Sequence, residues 1–294
     1  MPLGNPRQYN TNAYQLKEAY AYCQKLVRSH YENFPVASLL LPKRLRMPIA
    51  VIYAFARTAD DFADEGDYDQ HQRLQKLLDY NNKLDQIASG YIPTNDLLFL
   101  AVAHIISDNH LPISLFKDLI SAFQQDVTKQ RYSSYQEVLY YCQRSANPIG
   151  RLLLHLTGEA TPENLVQSDA ICTALQIINF LQDIGQDYNE NNRIYLPQQE
   201  MQQFKVSEDH FLNKCTDDNF RSFIQFQIQR TKILMKSGAP LGEVIHGRFG
   251  FQLRIMINGG IKVLELLELQ TDDYFSRPRL KLHNWMDMVW RAVV

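Results

Sequence analysis

Residues 162–188 carry apolar side chains around most of a helical wheel, broken by one narrow polar line. Gln176, Asn179, Asp183 and Asp187 recur at spacings of 3, 4 and 4, which a 3.6-residue turn stacks on a single face. Leu175, Ile177, Ile178, Phe180, Leu181 and Ile184 fill the other faces and demand burial. Such a helix must be surrounded by other helices, with its polar line facing a cavity rather than bulk water. Unpaired buried carboxylates cost several kcal/mol, so that line also requires a cation or a polar ligand.

The same periodicity runs through most of the chain, and period-two alternation is rare. It predicts helices over 13–29, 48–64, 71–89, 94–108, 112–129, 134–156, 162–188, 207–213, 217–237, 240–269 and 283–292. Thr161-Pro162 sets a capping hydroxyl before a proline in the first turn, where a missing N–H costs nothing. Met47-Pro48 and Leu111-Pro112 give similar start signals. Neither a Ser/Gly/Pro-rich linker nor a 20–50-residue repeat divides the 294 residues, so one all-α domain over 1–294 is expected.

A formal net charge of −2 and the lack of a long Lys/Arg run exclude a nucleic-acid footprint. Cys23, Cys142, Cys172 and Cys215 lie far apart, and the eight histidines form no metal-binding pair, which argues against zinc or disulfides. No apolar run reaches the roughly 18 residues that span a bilayer. Residues 1–12 are polar and lack a signal-peptide core. A cytoplasmic protein is expected. The ending, with Trp285, Met286, Val289, Trp290 and Arg291, fits either peripheral contact with the inner membrane face or packing on the core.

A second acidic line ends the apolar stretch 49–56: Arg57, Asp60 or Asp61, and Asp64 share one helical face. Carboxylates one turn apart repel, and they sit poorly near a helix C-terminus. A bound divalent cation would remove both objections. Mg²⁺ prefers oxygen ligands and commonly binds one or two carboxylates plus substrate phosphate. Two facing carboxylate pairs would hold Mg²⁺ around a diphosphate, with Arg57 and Arg193 placed to neutralise the other phosphate oxygens. Ionising that diphosphate leaves a carbocation, which needs an apolar, aromatic chamber that excludes stray water. Phe34, Phe55, Phe62, Phe180 and the tyrosines are candidate walls.

The first acidic line, the pair Tyr141-Cys142, and residues 179–187 followed by Arg193-Ile194-Tyr195-Leu196-Pro197 together resemble the squalene/phytoene synthase family, over roughly residues 31–282. Residues 30–38, 144–150 and 277–280 resemble in particular its bacterial hopanoid-pathway branch. The resemblance implies an all-α isoprenoid synthase bundle around a central cavity and Mg²⁺-assisted ionisation. It implies that Asp60, Asp64, Asp183 and Asp187 are metal ligands and part of the catalytic set. Asn179 and Arg193 match polar residues of the second motif, and Arg57 matches a diphosphate-binding arginine. Tyr141 matches a catalytic tyrosine and Phe34 a cavity phenylalanine.

The chain departs from the pattern of members that condense two farnesyl diphosphates. Glu32 and Asn33 stand where a Ser-rich, basic segment is common, and Ser145-Ala146-Asn147-Pro148 stands where Val-Ala-Gly usually follows the Tyr-Cys pair. These departures suit an enzyme that starts from preformed presqualene diphosphate. Its rearranged cation would be captured by water to give hydroxysqualene, with Asn147, Tyr141 or Gln176 positioning that water. The alternatives are a squalene synthase using farnesyl diphosphate and NADPH, a phytoene or dehydrosqualene synthase, and a non-catalytic assembly or lipid-binding relative. All four aspartates are kept, which favours catalysis.

Overall fold

A computed structural model describes residues 13–29 and 42–277. In chain order the elements are α1 (Ala13–Ser29), α2 (Lys43–Asp64), α3 (Gln70–Ala88), α4 (Leu97–Asp108), α5 (Ile113–Thr128), β1 (Arg131–Tyr132), α6 (Tyr135–Ser145), α7 (Asn147–Thr157) and α8 (Pro162–Gln182). There follow α9 (Ile184–Asn191), β2 (Ile194–Pro197), α10 (Gln198–Gln203), α11 (Glu208–Leu212), α12 (Asp218–Gly238), α13 (Leu241–Val244) and α14 (Gly247–Leu269). Phe34 with the whole 30–38 stretch, residues 278–280, and the helix and tryptophans expected after residue 282 lie outside the described residues.

Helix starts follow side-chain chemistry. Thr161 accepts from the Asn164 N–H ahead of Pro162, as its sequence signal predicts. Asp96 accepts from Leu98 and Phe99, and Asp69 and Gln72 form a reciprocal capping box. Pro48 does not open its helix. α2 begins at Lys43 behind Pro42 and carries Pro48 inside, because the helix-forming run Lys43-Arg44-Leu45-Arg46 adds a turn in front of it.

Three expected helices divide. The 134–156 stretch breaks at Ala146, two residues before Pro148, which has no N–H for the carbonyl four residues back. The 240–269 stretch breaks at Ile245–His246. The 162–188 stretch breaks at Asp183, whose φ of −106° and ψ of 16° leave the helical region. That last break turns Asp187 onto its own short helix. Beyond the expected helices, β1 and β2 form a two-stranded parallel ladder pairing Arg131 with Ile194 and Tyr132 with Pro197.

Two apolar clusters organise the bundle. One is built from α1–α5 with Leu152 and Leu156 of α7, where α1 packs on α2 and α4 and α3 packs on α5. Its centre is Phe55, ringed by Tyr80, Phe99 and Phe116 at centroid distances of 5.1, 6.0 and 5.2 Å. Burying an aromatic ring of this kind contributes about 1.5–3 kcal/mol. The other gathers α6, α8, α12, α13, α14 and β2, with α12 laid along α8. α5 packs on α6 and α2 on α7, so the C-terminal end of α2 meets the α8–α9 break across a gap between the clusters.

Gly185, just past that break, lies under the chain at Phe275. A methyl group there would sit 2.5 Å from the Phe275 carbonyl oxygen. Gly185→Ala must displace the 271–277 segment and is expected to cost about 1–3 kcal/mol, read as a lower urea midpoint at unchanged m. An unaltered midpoint would contradict this packing.

Candidate active site

The gap is a cavity of about 310 Å³ lined from every side by polar side chains. α2 supplies Asp60 and Asp64, α5 supplies Phe123 and Asp126, and α6 supplies Tyr141 and Ser145. α8 and the break give Gln176, Asn179, Phe180 and Asp183; α9 and β2, with the turn between them, add Asp187, Asn191, Arg193 and Tyr195. The two acidic lines therefore face one space, as the burial argument for 162–188 requires. Among the expected aromatics, Phe180 reaches this space, whereas Phe55 is core. Tyr195 stacks on Phe180 at 3.9 Å with 5° between planes, and Tyr141 packs beside both.

Arg57 is placed differently. Its Nε lies 2.7 Å from Asp61 and its Nη1 3.1 Å from Asp60, with Glu65 as a third partner. The guanidinium thus serves the acids of its own helix and does not line the cavity. Asn147 is buried against Thr173, whose hydroxyl donates to it at 2.9 Å, so it too is turned away from the cavity.

Carboxylates at the C-terminal end of α2 oppose the helix dipole, and the fold answers with Arg73 of α3. Its guanidinium donates to the carbonyls of Phe62, Glu65, Gly66 and Tyr68 at 2.9–3.3 Å, closing the end of the helix with positive charge. Across the gap Arg193 donates to both oxygens of Asp64, at 2.6 and 3.3 Å, and to the Asp126 carbonyl at 2.9 Å. Arg277 Nε lies 2.9 Å from Asp183.

The sequence reading missed Asp126. It is 7% exposed, with Tyr141 and Tyr195 donating to its two oxygens at 2.7 and 3.1 Å. The signal was present: Asp126 follows Leu119, Ala122 and Phe123 at spacings of 7, 4 and 3, which puts a carboxylate on the apolar face of α5.

Negative charge is in excess here. Burial pushes the Asp126 carboxyl up to about 7, with Arg193 and the phenols opposing. Burial and then Asp183 raise Asp187 to about 7. Burial, then Asp64, raise Asp60 to about 6, although its side chain keeps 38% exposure and water screens part of the effect. Asp183 is raised as well, by burial first, with Arg277 opposing. An all-oxygen donor set of carboxylates and amides with surplus negative charge fits a hard divalent cation. Among the described residues no three Asp, Glu, His or Cys side chains converge on one point. Each acidic wall would thus give one or two ligands, and water or phosphate the rest.

This arrangement defines a class: an all-α fold with facing acidic walls and an aromatic backing. Comparisons narrow it. The family profile described as squalene/phytoene synthase matches residues 27–286. A hydroxysqualene synthase from Rhodopseudomonas palustris is 34% identical over 85% of this chain and 84% of its own. A 15-cis-phytoene synthase from Synechococcus elongatus is 30% identical over 92% and 90%. The crystal structure of the squalene synthase HpnC from Alicyclobacillus acidocaldarius superposes with a TM-score of 0.82 at 32% identity, covering 91% of this chain and 98% of that one. The chain belongs to the squalene/phytoene synthase family. Its fold is the all-α isoprenoid synthase fold. The family acts on isoprenoid diphosphates and generally uses a divalent metal. Among the described residues no helix is long and apolar enough to cross a membrane.

Because Asp187 moves from an ordinary 3.8 to about 7 on folding, the folded chain binds more protons than the unfolded one between those values. Its ionisation therefore drains stability as pH rises through that window. Asp187→Asn, which cannot ionise, is expected to gain stability over the wild-type chain from pH about 4 to about 7 and to level off above, measured by thermal unfolding without divalent cations. A constant difference across the window would refute the shift.

Proposed function

We propose that this protein is a hydroxysqualene synthase, converting presqualene diphosphate and water to hydroxysqualene and diphosphate in hopanoid synthesis. The observation that carries this reading is the pairing of two acidic walls with an aromatic face in one cavity, in a chain 34% identical to a hydroxysqualene synthase over most of its length. Asp60 and Asp64 on one wall and Asp183 and Asp187 on the other would hold Mg²⁺. The metal, when bound, stabilises the charge that grows on the departing diphosphate. Arg193 and Arg277 each pair with one of these acids. Once a cation satisfies the acids, both guanidiniums are free to donate to phosphate oxygens. Asn179 lines the same end. Phe180, Tyr195 and Tyr141 present π-faces and phenol oxygens to a developing carbocation. Tyr141 and Gln176 are the polar side chains beside that wall able to orient the captured water.

A squalene- or phytoene-forming reaction is the second reading, favoured by the likeness to the Alicyclobacillus acidocaldarius squalene synthase and the Synechococcus elongatus phytoene synthase. Product analysis separates them. With presqualene diphosphate and Mg²⁺, hydroxysqualene is expected with or without NADPH. Consumption of farnesyl diphosphate alone, or a product that requires NADPH, would transfer the assignment to the second reading. Asp64→Ala and Asp183→Ala should each lower diphosphate release roughly 100-fold or more while far-UV circular dichroism stays unchanged. Wild-type turnover in either variant would count against the metal assignment.

A further inference from the structure

Asp126 is a buried carboxylate on the cavity wall with no place among the metal ligands proposed above. Its surroundings are fully specified. Tyr141 Oη donates to Oδ2 at 2.7 Å, Tyr195 Oη donates to Oδ1 at 3.1 Å, and Arg193 Nη2 donates to the main-chain carbonyl at 2.9 Å. The donors come from α6, from β2 and from the turn before β2, so one residue of α5 ties three separate parts of the wall together.

A phenol has one proton and two lone pairs. In both tyrosines that proton is committed to Asp126. The ionised carboxylate is the form with an acceptor on each oxygen; burial works against it, while the Arg193 guanidinium and the two donated phenol hydrogen bonds favour it. Tyr141 and Tyr195 therefore offer only lone pairs to the cavity. A phenol proton turned towards a carbocation would oppose it, whereas a phenol lone pair accepts a hydrogen from water. Water held in that way keeps its own lone pair for the cation. Its second proton then leaves to solvent or diphosphate as the C–O bond forms.

We infer that Asp126 is a positioning residue for water capture: it holds the hydroxyl protons of Tyr141 and Tyr195 away from the cavity, so that Tyr141 presents an acceptor to the attacking water. This rests on the hydroxysqualene-forming reading. Asp126→Asn keeps the size of the side chain but replaces one acceptor with a donor, which forces one phenol to reverse its proton.

The test is a double-mutant cycle of Asp126→Asn and Tyr141→Phe on presqualene diphosphate with Mg²⁺. It reads KM, kcat and the fraction of converted substrate that appears as hydroxysqualene. That fraction does not depend on how much of the protein is folded. Asp126→Asn should lower kcat for hydroxysqualene by at least ~10-fold with KM within ~2-fold, and reduce the hydroxysqualene fraction in favour of other C30 products. In the Tyr141→Phe background the same change should add less than about a 2-fold loss, because the two side chains act as one unit. If the Asn variant does not accumulate, Asp126→Glu, whose carboxylate is displaced by a methylene, should show the same lowered fraction and non-additivity. Additive losses, or an unchanged product fraction, overturn the inference while leaving the proposed function intact. A wild-type protein that forms no alcohol overturns the proposed function, and the inference falls with it.

Discussion

Arg193 joins parts of the chain that are 129 residues apart, gripping Asp64 with both terminal nitrogens while one of them also reaches the Asp126 carbonyl. Without that contact the acids at the end of α2 and those of the α8–α9 break would line the same space with one cation fewer between them. Its side chain is 9% exposed, so the pair lies in a medium where an unpaired charge is heavily penalised. Losing Asp64 would leave the buried Arg193 with the Asp126 carbonyl in place of a carboxylate. The ion pair thus links the two sides of the cavity across 129 residues of chain.

The remaining electrostatics follow from having more acids than bases around one space. Arg57 and Arg73 attend to α2 from outside the cavity, and Arg277 attends to Asp183. The carboxyls that remain take raised pKa values. A fold selected only for stability would replace such residues with apolar ones, because a well-packed core outperforms a strained ionic one. Their retention is consistent with a site whose charge is balanced by something it binds. Under the proposed function, a divalent cation with a diphosphate substrate would supply that balance, each arginine exchanging a carboxylate for a phosphate.

The helical architecture and the two acidic lines were legible in the spacing of the sequence, and the family in the resemblance of its ordered motifs. A stripe at 3, 4 and 4 must share a face, and an apolar helix must bury it. Other features depend on tertiary contacts that spacing does not encode. The break at Asp183 stands two residues before Gly185, over which the chain at Phe275 crosses. Arg57 shares a face with Asp60 and Asp64, yet its guanidinium finds three acids on its own helix and the turn after it. Pro148 signalled the α6–α7 break, and the apolar face of α5 signalled Asp126. Both were readable and were outweighed by the longer periodic pattern.

The 145–148 segment acts on the cavity indirectly. Pro148 ends α6 at Ser145 and starts α7 at Asn147, so Ser145 is left at the cavity while Asn147 turns to Thr173. A continuous helix would carry these side chains past the site in a different rotation, because one residue of slip turns a helix by about 100°. The break therefore sets which group at the end of α6 lines the cavity, on the same helix that carries Tyr141. In the proposed reaction, whose outcome is decided by what first reaches a carbocation, placement of one hydroxyl relative to another would have more leverage than affinity for the diphosphate, which the acids and arginines would provide for any substrate of the class.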